Sequence, residues 1–147
     1  MKVFVVDDSA VVRRMVRALL AVLPDVVLVG EASSAEACFS PIETLAPDVV
    51  VMDWSMPGMN GIEATAELQR TRPEVRVVGF TSTDDPCVHE AFIAAGATAV
   101  FAKQDAMALR DHLLAAATSA KDADARRRRG PGGHVRQLRP TRRRAKP

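Results

Sequence analysis

Five short valine-rich runs, at residues 2–6, 26–31, 48–52, 75–80 and 98–102, recur along the first 102 residues without clean polar alternation. A strand with one wet face alternates apolar and polar residues, so continuous apolar runs of this length imply strands buried on both faces. The intervals between them read as helices. In 9–23, Val12, Met15, Val16, Leu19 and Leu23 fall on one face at helical spacing, Arg13, Arg14 and Arg17 fall opposite, and Pro24 ends the segment. Further along, Asn60 with Glu63 fits a helix N-cap and its reciprocal partner, Pro86 a first helical turn, and Gly96 a left-handed helix end. Strands that alternate with helices predict a five-stranded parallel sheet with right-handed crossovers and helices on both faces, an α/β fold.

In such a sheet, ligand sites gather beyond the carboxyl ends of the strands. That rule singles out Asp7 and Asp8 after the first run, Asp53 after the third, Thr81 after the fourth and Lys103 after the fifth. Two adjacent carboxylates at a strand end repel each other, and neither is easily desolvated unless a cation neutralises them. Carboxylates suit a hard divalent cation, most simply Mg²⁺, while a hydroxyl and an ammonium suit phosphoryl oxygens. Singly each residue has an ordinary reading, such as a helix cap for Asp7 and Asp8 or a surface site for Lys103. Their coincidence at successive strand ends points to chemistry.

Composition narrows the rest. The 147 residues, 48% of them hydrophobic, suffice for one core and one domain. No apolar run approaches the roughly 20 residues needed to span a bilayer, and the N-terminal segment lacks the apolar region of a signal peptide, so no membrane insertion and a cytoplasmic location are expected. Cys38 and Cys87 lack paired spacing and are expected as free thiols; His89, His112 and His134 lack ligand spacing. Charge is unevenly spread. Residues 121–147 hold eleven Lys and Arg against two Asp, a net +9, which leaves −7 on residues 1–120. With Gly130-Pro131-Gly132-Gly133 and few large apolar residues, 120–147 is expected to be a disordered Arg-rich tail following a domain at 1–119.

The segments VFVVDDS (3–9), VVVMDWSMPGMNG (49–61), VVGFTS (77–82) and AGATAVFAK (95–103) together resemble the receiver domain of bacterial two-component response regulators. The resemblance spans residues 1 to about 119, and the D-x-x-M-P-x-M-x-G run is its most specific part. It implies a flavodoxin-like doubly wound sheet in the order 2-1-3-4-5. It implies that Asp53 is the phosphoacceptor for a sensor histidine kinase. Asp8 would be the main acidic Mg²⁺ ligand beside Asp53, with Asp7 bonded to metal-bound water and the Ser55 backbone carbonyl completing the protein's share. Lys103 would pair with Asp53 and then with a phosphoryl oxygen, and the Thr81 hydroxyl would move toward the phosphoryl group. The chain would then be a phosphorylation-dependent switch and not an enzyme acting on a separate substrate, although it would assist its own phosphotransfer and dephosphorylation.

Some positions depart from the commonest family pattern. Val100 stands where a tyrosine or phenylalanine is usual, and its neighbour Phe101 is expected on the opposite face of the strand. Gln104 follows the lysine where a proline is frequent, which removes the residue that makes a cis peptide inexpensive. Ser55 and Thr83 sit where the family tunes access of the hydrolytic water. Trp54, the single tryptophan, is expected as a partly exposed loop residue.

Competing readings exist. A haloacid-dehalogenase-type phosphatase needs D-x-D at the first strand, but Asp7 is followed by Asp8 and Ser9; a flavin carrier needs an uncharged phosphate loop there. Downstream, the expected output of a stand-alone receiver is a protein partner at the face of the fourth helix, fifth strand and fifth helix, including Val100 and segment 84–95. The alternatives are non-specific nucleic-acid contact through the basic tail, or a tail left from a truncated transcriptional output domain.

Overall fold

A computed structural model describes residues 1–128. Strands β1 (Lys2–Val6), β2 (Val27–Ala32), β3 (Val49–Met52), β4 (Arg76–Thr81) and β5 (Ala99–Ala102) form one sheet in the order β2-β1-β3-β4-β5, and every pairing is parallel. Each strand lies within one residue of its expected limits. The reason is visible in the packing. Alternate residues of one strand enter different cores: Phe4, Val6, Val50, Met52 and Val77 on one face, Val3, Val5, Val49, Val51, Val78 and Phe80 on the other.

The first core is covered by α2 (Phe39–Leu45), α3 (Gly61–Thr71) and α4 (Pro86–Ala94), which contribute Ile42, Ala64, Leu68, Val88 and Phe92. The second is covered by α1 (Ala10–Ala21) and α5 (Ala106–Arg128), through Val16, Leu20, Leu109, Leu113 and Ala117. In α1 the buried leucine is Leu20, and Leu19 is only half-buried. Leu23 is buried beyond the helix end.

The expected helix signals hold. Asn60 and Glu63 form a reciprocal capping box on α3, and Asp85 caps α4 ahead of Pro86. Gly96, at φ +108°, closes α4: its N–H reaches the Ile93 carbonyl and the Ala97 N–H reaches that of Phe92, a Schellman arrangement.

The C-terminal helix corrects one expectation. Residues 120–128 are not disordered but continue α5 to Arg128, although none of them is buried. Alanine-rich sequence has high intrinsic helicity, the basic end matches the helix dipole, and Arg128 pairs with Asp124 one turn earlier at 2.7 Å. Lys121 also pairs with Asp25 at 2.5 Å. Asp25 precedes β2, so this contact lies at the amino edge of the sheet. Residues 129–147, including His134 and the remainder of the expected tail, lie outside the described residues. Among the described residues, no helix is long and apolar enough to cross a membrane.

Candidate functional site

The carboxyl ends of β1 and β3 are drawn together by the Asp53 N–H, which donates to the Val6 carbonyl at 2.9 Å, while the Asp7 N–H donates to the Ala32 carbonyl at 3.1 Å. These bonds extend the ladders by one residue and place Asp7 and Asp53 side by side. Thr81 ends β4 opposite Ala102, so Lys103 follows immediately beside it. Asp7, Asp53 and Thr81 are buried, whereas Asp8 and Ser55 are exposed. All the candidate residues therefore lie along one edge.

Carboxylate oxygens of Asp7, Asp8 and Asp53 all lie within 4.8 Å of one another. The Lys103 ammonium stands 2.7 Å from Asp7 Oδ2 and 3.0 Å from Asp53 Oδ1. Asp7 is further fixed by the Ser9 N–H, which donates to Oδ1 at 2.8 Å, and by Arg13, which donates to its backbone carbonyl at 2.7 Å. Its Oδ2, though buried and close to the ammonium, has no partner in hydrogen-bonding direction.

Burial raises the pKa of Asp53, and the neighbouring Asp7 charge adds to that effect, against the lowering influence of Lys103. For Lys103 burial acts to lower the pKa, but the two carboxylates outweigh it and the net direction is upward. Three carboxylates against one ammonium leave a formal excess that one divalent cation would balance. Oxygen-only donors and the undirected Asp7 Oδ2 fit such a cation.

The loop after Asp53 approaches its own backbone closely. A Cβ on Gly61 would sit 1.7 Å from the Asp53 carbonyl oxygen, so only glycine allows this return of the chain. Trp54 is half-buried against the first core, as expected for a loop residue. On β5, Val100 packs toward the first core and Phe101 toward the second, where its ring lies 5.1 Å from that of His112. The chain has no cis peptide among its described residues, so Gln104 follows Lys103 through a trans bond. Both described cysteines are free; Cys38 is buried, which pushes its thiol up to about 12.

Sequence reasoning missed three supports of this edge. Arg13, on the polar side of the first helix, holds the Asp7 carbonyl. Gln104 donates to Asp84 at 2.7 Å, tying the β5 end to the loop before α4. Glu36 accepts the Met59 N–H at 2.7 Å, across from the turn before α2. None of these bonds has a local sequence signal.

Comparison with known proteins places these observations in context. The profile of the response regulator receiver domain matches residues 3–114. Response regulator GacA of Pseudomonas aeruginosa is 38% identical over 102 residues, which are 69% of this chain and 48% of that protein. The chain thus spans about half the length of this curated relative. Among solved structures, the response regulator domain of Thermotoga maritima CheB superposes with a TM-score of 0.72 at 27% identity, covering 83% of this chain and 96% of that one. The isolated receiver domain of RcsB from Salmonella enterica serovar Typhimurium, in the presence of phosphomimetic BeF3-, gives 0.74 at 26% identity and covers 81% and 88%. With the strand order, the acidic edge and these matches in agreement, the chain belongs to the response regulator receiver domain family.

Proposed function

We propose that this protein is a phosphorylation-dependent signalling switch in which Asp53 accepts a phosphoryl group from a sensor histidine kinase. Receiver domains receive phosphate from histidine kinases, bind Mg²⁺ at the acidic phosphorylation site and act on downstream targets. The observation that carries the reading here is the Lys103 ammonium held between Asp7 and Asp53 at the sheet's carboxyl edge.

An Asp53 carboxylate oxygen attacks the phosphorus of a phosphohistidine. A P–O bond forms, the P–N bond breaks, and its electron pair returns to the imidazole nitrogen. The product is an acyl phosphate on Asp53. Asp8, Asp53 and the Ser55 carbonyl would hold Mg²⁺, with Asp7 bonded to its water; the ion supplies charge neutralisation for the transferred group. Lys103 leaves its bond to Asp53 and pairs with a phosphoryl oxygen. Thr81, already at the end of β4, turns its hydroxyl toward the same group. The protein acts as phosphoacceptor and not as an enzyme on a separate substrate.

Output is read by a protein partner at the face of α4, β5 and α5. His89, Glu90, Ile93, Ala94 and Val100 line a shallow depression of about 500 Å³ there, with Ile93 half exposed. A second reading, non-specific nucleic-acid contact through the basic C-terminal segment, is favoured by the exposed helical stretch that carries Lys121 and Arg126–Arg128 into it.

The test combines metal and phosphoryl binding. Mg²⁺ should change Trp54 fluorescence in the wild type, weakly in Asp8→Asn, and normally in Asp111→Asn. A small phosphodonor with Mg²⁺ should give one hydroxylamine-labile modification, lost in Asp53→Asn. Equal labelling of wild type and Asp53→Asn overturns the assignment.

A further inference from the structure

Glu36 begins the 3₁₀ turn Glu36–Cys38 between β2 and α2, an element that contributes no carboxylate to the acidic edge. The turn is rigidly based, because Ala35 before it and Cys38 at its end are wholly buried in the first core. From that base the Glu36 side chain reaches 23 positions along the sequence, where Oε1 accepts the Met59 N–H at 2.7 Å.

Met59 belongs to the loop that leaves Asp53 and returns at Gly61. The other hydrogen bonds of that return are local: Gly61 donates to the Trp54 carbonyl, Asn60 donates to Glu63, and Asn60 caps Ile62 and Glu63. Among the described residues, Glu36 supplies the hydrogen bond that ties residues 54–60 to a different element. The fit is close. Gly58 has φ +81°, and a Cβ there would lie 2.5 Å from Glu36 Oε1, so the carboxylate rests against bare backbone. The Met59 amide holds the Glu36 carboxyl below its ordinary range, as a bond to the charged form requires.

We propose that Glu36 is a positioning residue, whose carboxylate holds the loop from Trp54 to Met59, and with it the Asp53 and Ser55 backbone, in the arrangement that receives cation and phosphoryl group. The inference rests on the reading of the site given above. Its physical basis is preorganisation. The loop is fixed at β3 and at the α3 capping box, and the carboxylate fixes the span between them, where small displacements would misplace a backbone ligand.

The test uses the full chain as wild type, Glu36→Ala, Glu36→Gln and Glu36→Asp. Glutamine keeps an acceptor oxygen at the same reach, whereas aspartate falls one methylene short. Three readouts are taken: Mg²⁺ affinity from Trp54 fluorescence, the rate of Asp53 labelling by acetyl phosphate at saturating donor and Mg²⁺, and thermal unfolding. Mg²⁺ affinity and saturated rate should fall about tenfold in Glu36→Ala and Glu36→Asp, as for other outer-sphere supports, and Glu36→Gln should recover most of the loss. Unfolding should change little, since the side chain is exposed. Wild-type affinity and rate in Glu36→Ala overturn the proposal, as does a Glu36→Gln protein no better than Glu36→Ala. No Mg²⁺ response or labelling in the wild type overturns the reading of the site, and this inference with it.

Discussion

The Lys103 ammonium lies 3.0 Å from Asp53 Oδ1 and spans at the same time to Asp7 Oδ2, at 2.7 Å. One cation thus serves two buried carboxylates on adjacent strands. Burial alone would favour a neutral lysine, but the paired carboxylates reverse the balance and keep it charged at neutral pH.

Removing that cation should be costly. Lys103→Met leaves two carboxylates buried without a counter-charge, a change that typically costs about 3–5 kcal/mol. Urea unfolding without divalent ions should show this loss, and Mg²⁺ should restore more stability to the variant than to the wild type. Because the folded pKa is raised, the lysine's contribution is complete at neutral pH and disappears only as pH rises through that raised value. A variant as stable as wild type in metal-free buffer would contradict the ion-pair geometry.

Asp53 is shifted in the same direction, with the opposite consequence at pH 7. Its folded pKa is raised, chiefly by burial, so its contribution is most favourable below the ordinary carboxylate value of about 3.9 and is lost as pH rises through the folded value. Asp53→Asn cannot ionise and should melt above wild type at pH 7 in metal-free buffer. The gap should narrow as pH falls toward the acid range. A variant that melts below wild type at pH 7 would show that Lys103 outweighs burial.

Gly61→Ala tests the close return of the loop. With a methyl directed at the Asp53 carbonyl oxygen, the backbone must shift, and about 1–3 kcal/mol should be lost. Labelling of Asp53 should fall along with it. Stability and labelling both at wild-type level would mean that the two backbone segments are farther apart in solution.

The basic segment makes a separate prediction. Any nucleic-acid affinity should be independent of sequence and fall steeply with salt through counterion release, and it should be absent from a chain ending at Ala120. Electrophoretic mobility of labelled DNA and RNA at low and physiological salt measures it. Equal binding by both chains removes residues 121–147 as the source.

The sheet was legible because strands buried on both faces leave unbroken valine runs, such as Val49-Val50-Val51, that no amphipathic helix would show. Asp7, Asp8, Asp53, Thr81 and Lys103 followed from the strand ends. The orientation of Val100 and Phe101 followed from strand alternation. The end of α5 past Ala120 did not, because it buries no side chain and an arginine run reads as unfolded chain; alanine propensity and the dipole decide it instead. Glu36 was equally hidden. Its partner is a backbone N–H, which every residue but proline carries, so no residue type marks the contact.

The Lys121–Asp25 ion pair has a consequence for how the molecule can be elaborated. From Ala106 to Lys121 the helix rises about 23 Å, at about 1.5 Å per residue, and delivers the chain to the edge farthest from Asp53. Physiological salt screens exposed charges beyond about 8 Å. The exposed charges of Lys121 and Arg126–Arg128 are therefore screened from the phosphoacceptor. The fold thus carries its exposed arginines out at the end opposite its reactive one, where adding or removing them leaves the field at Asp53 unchanged.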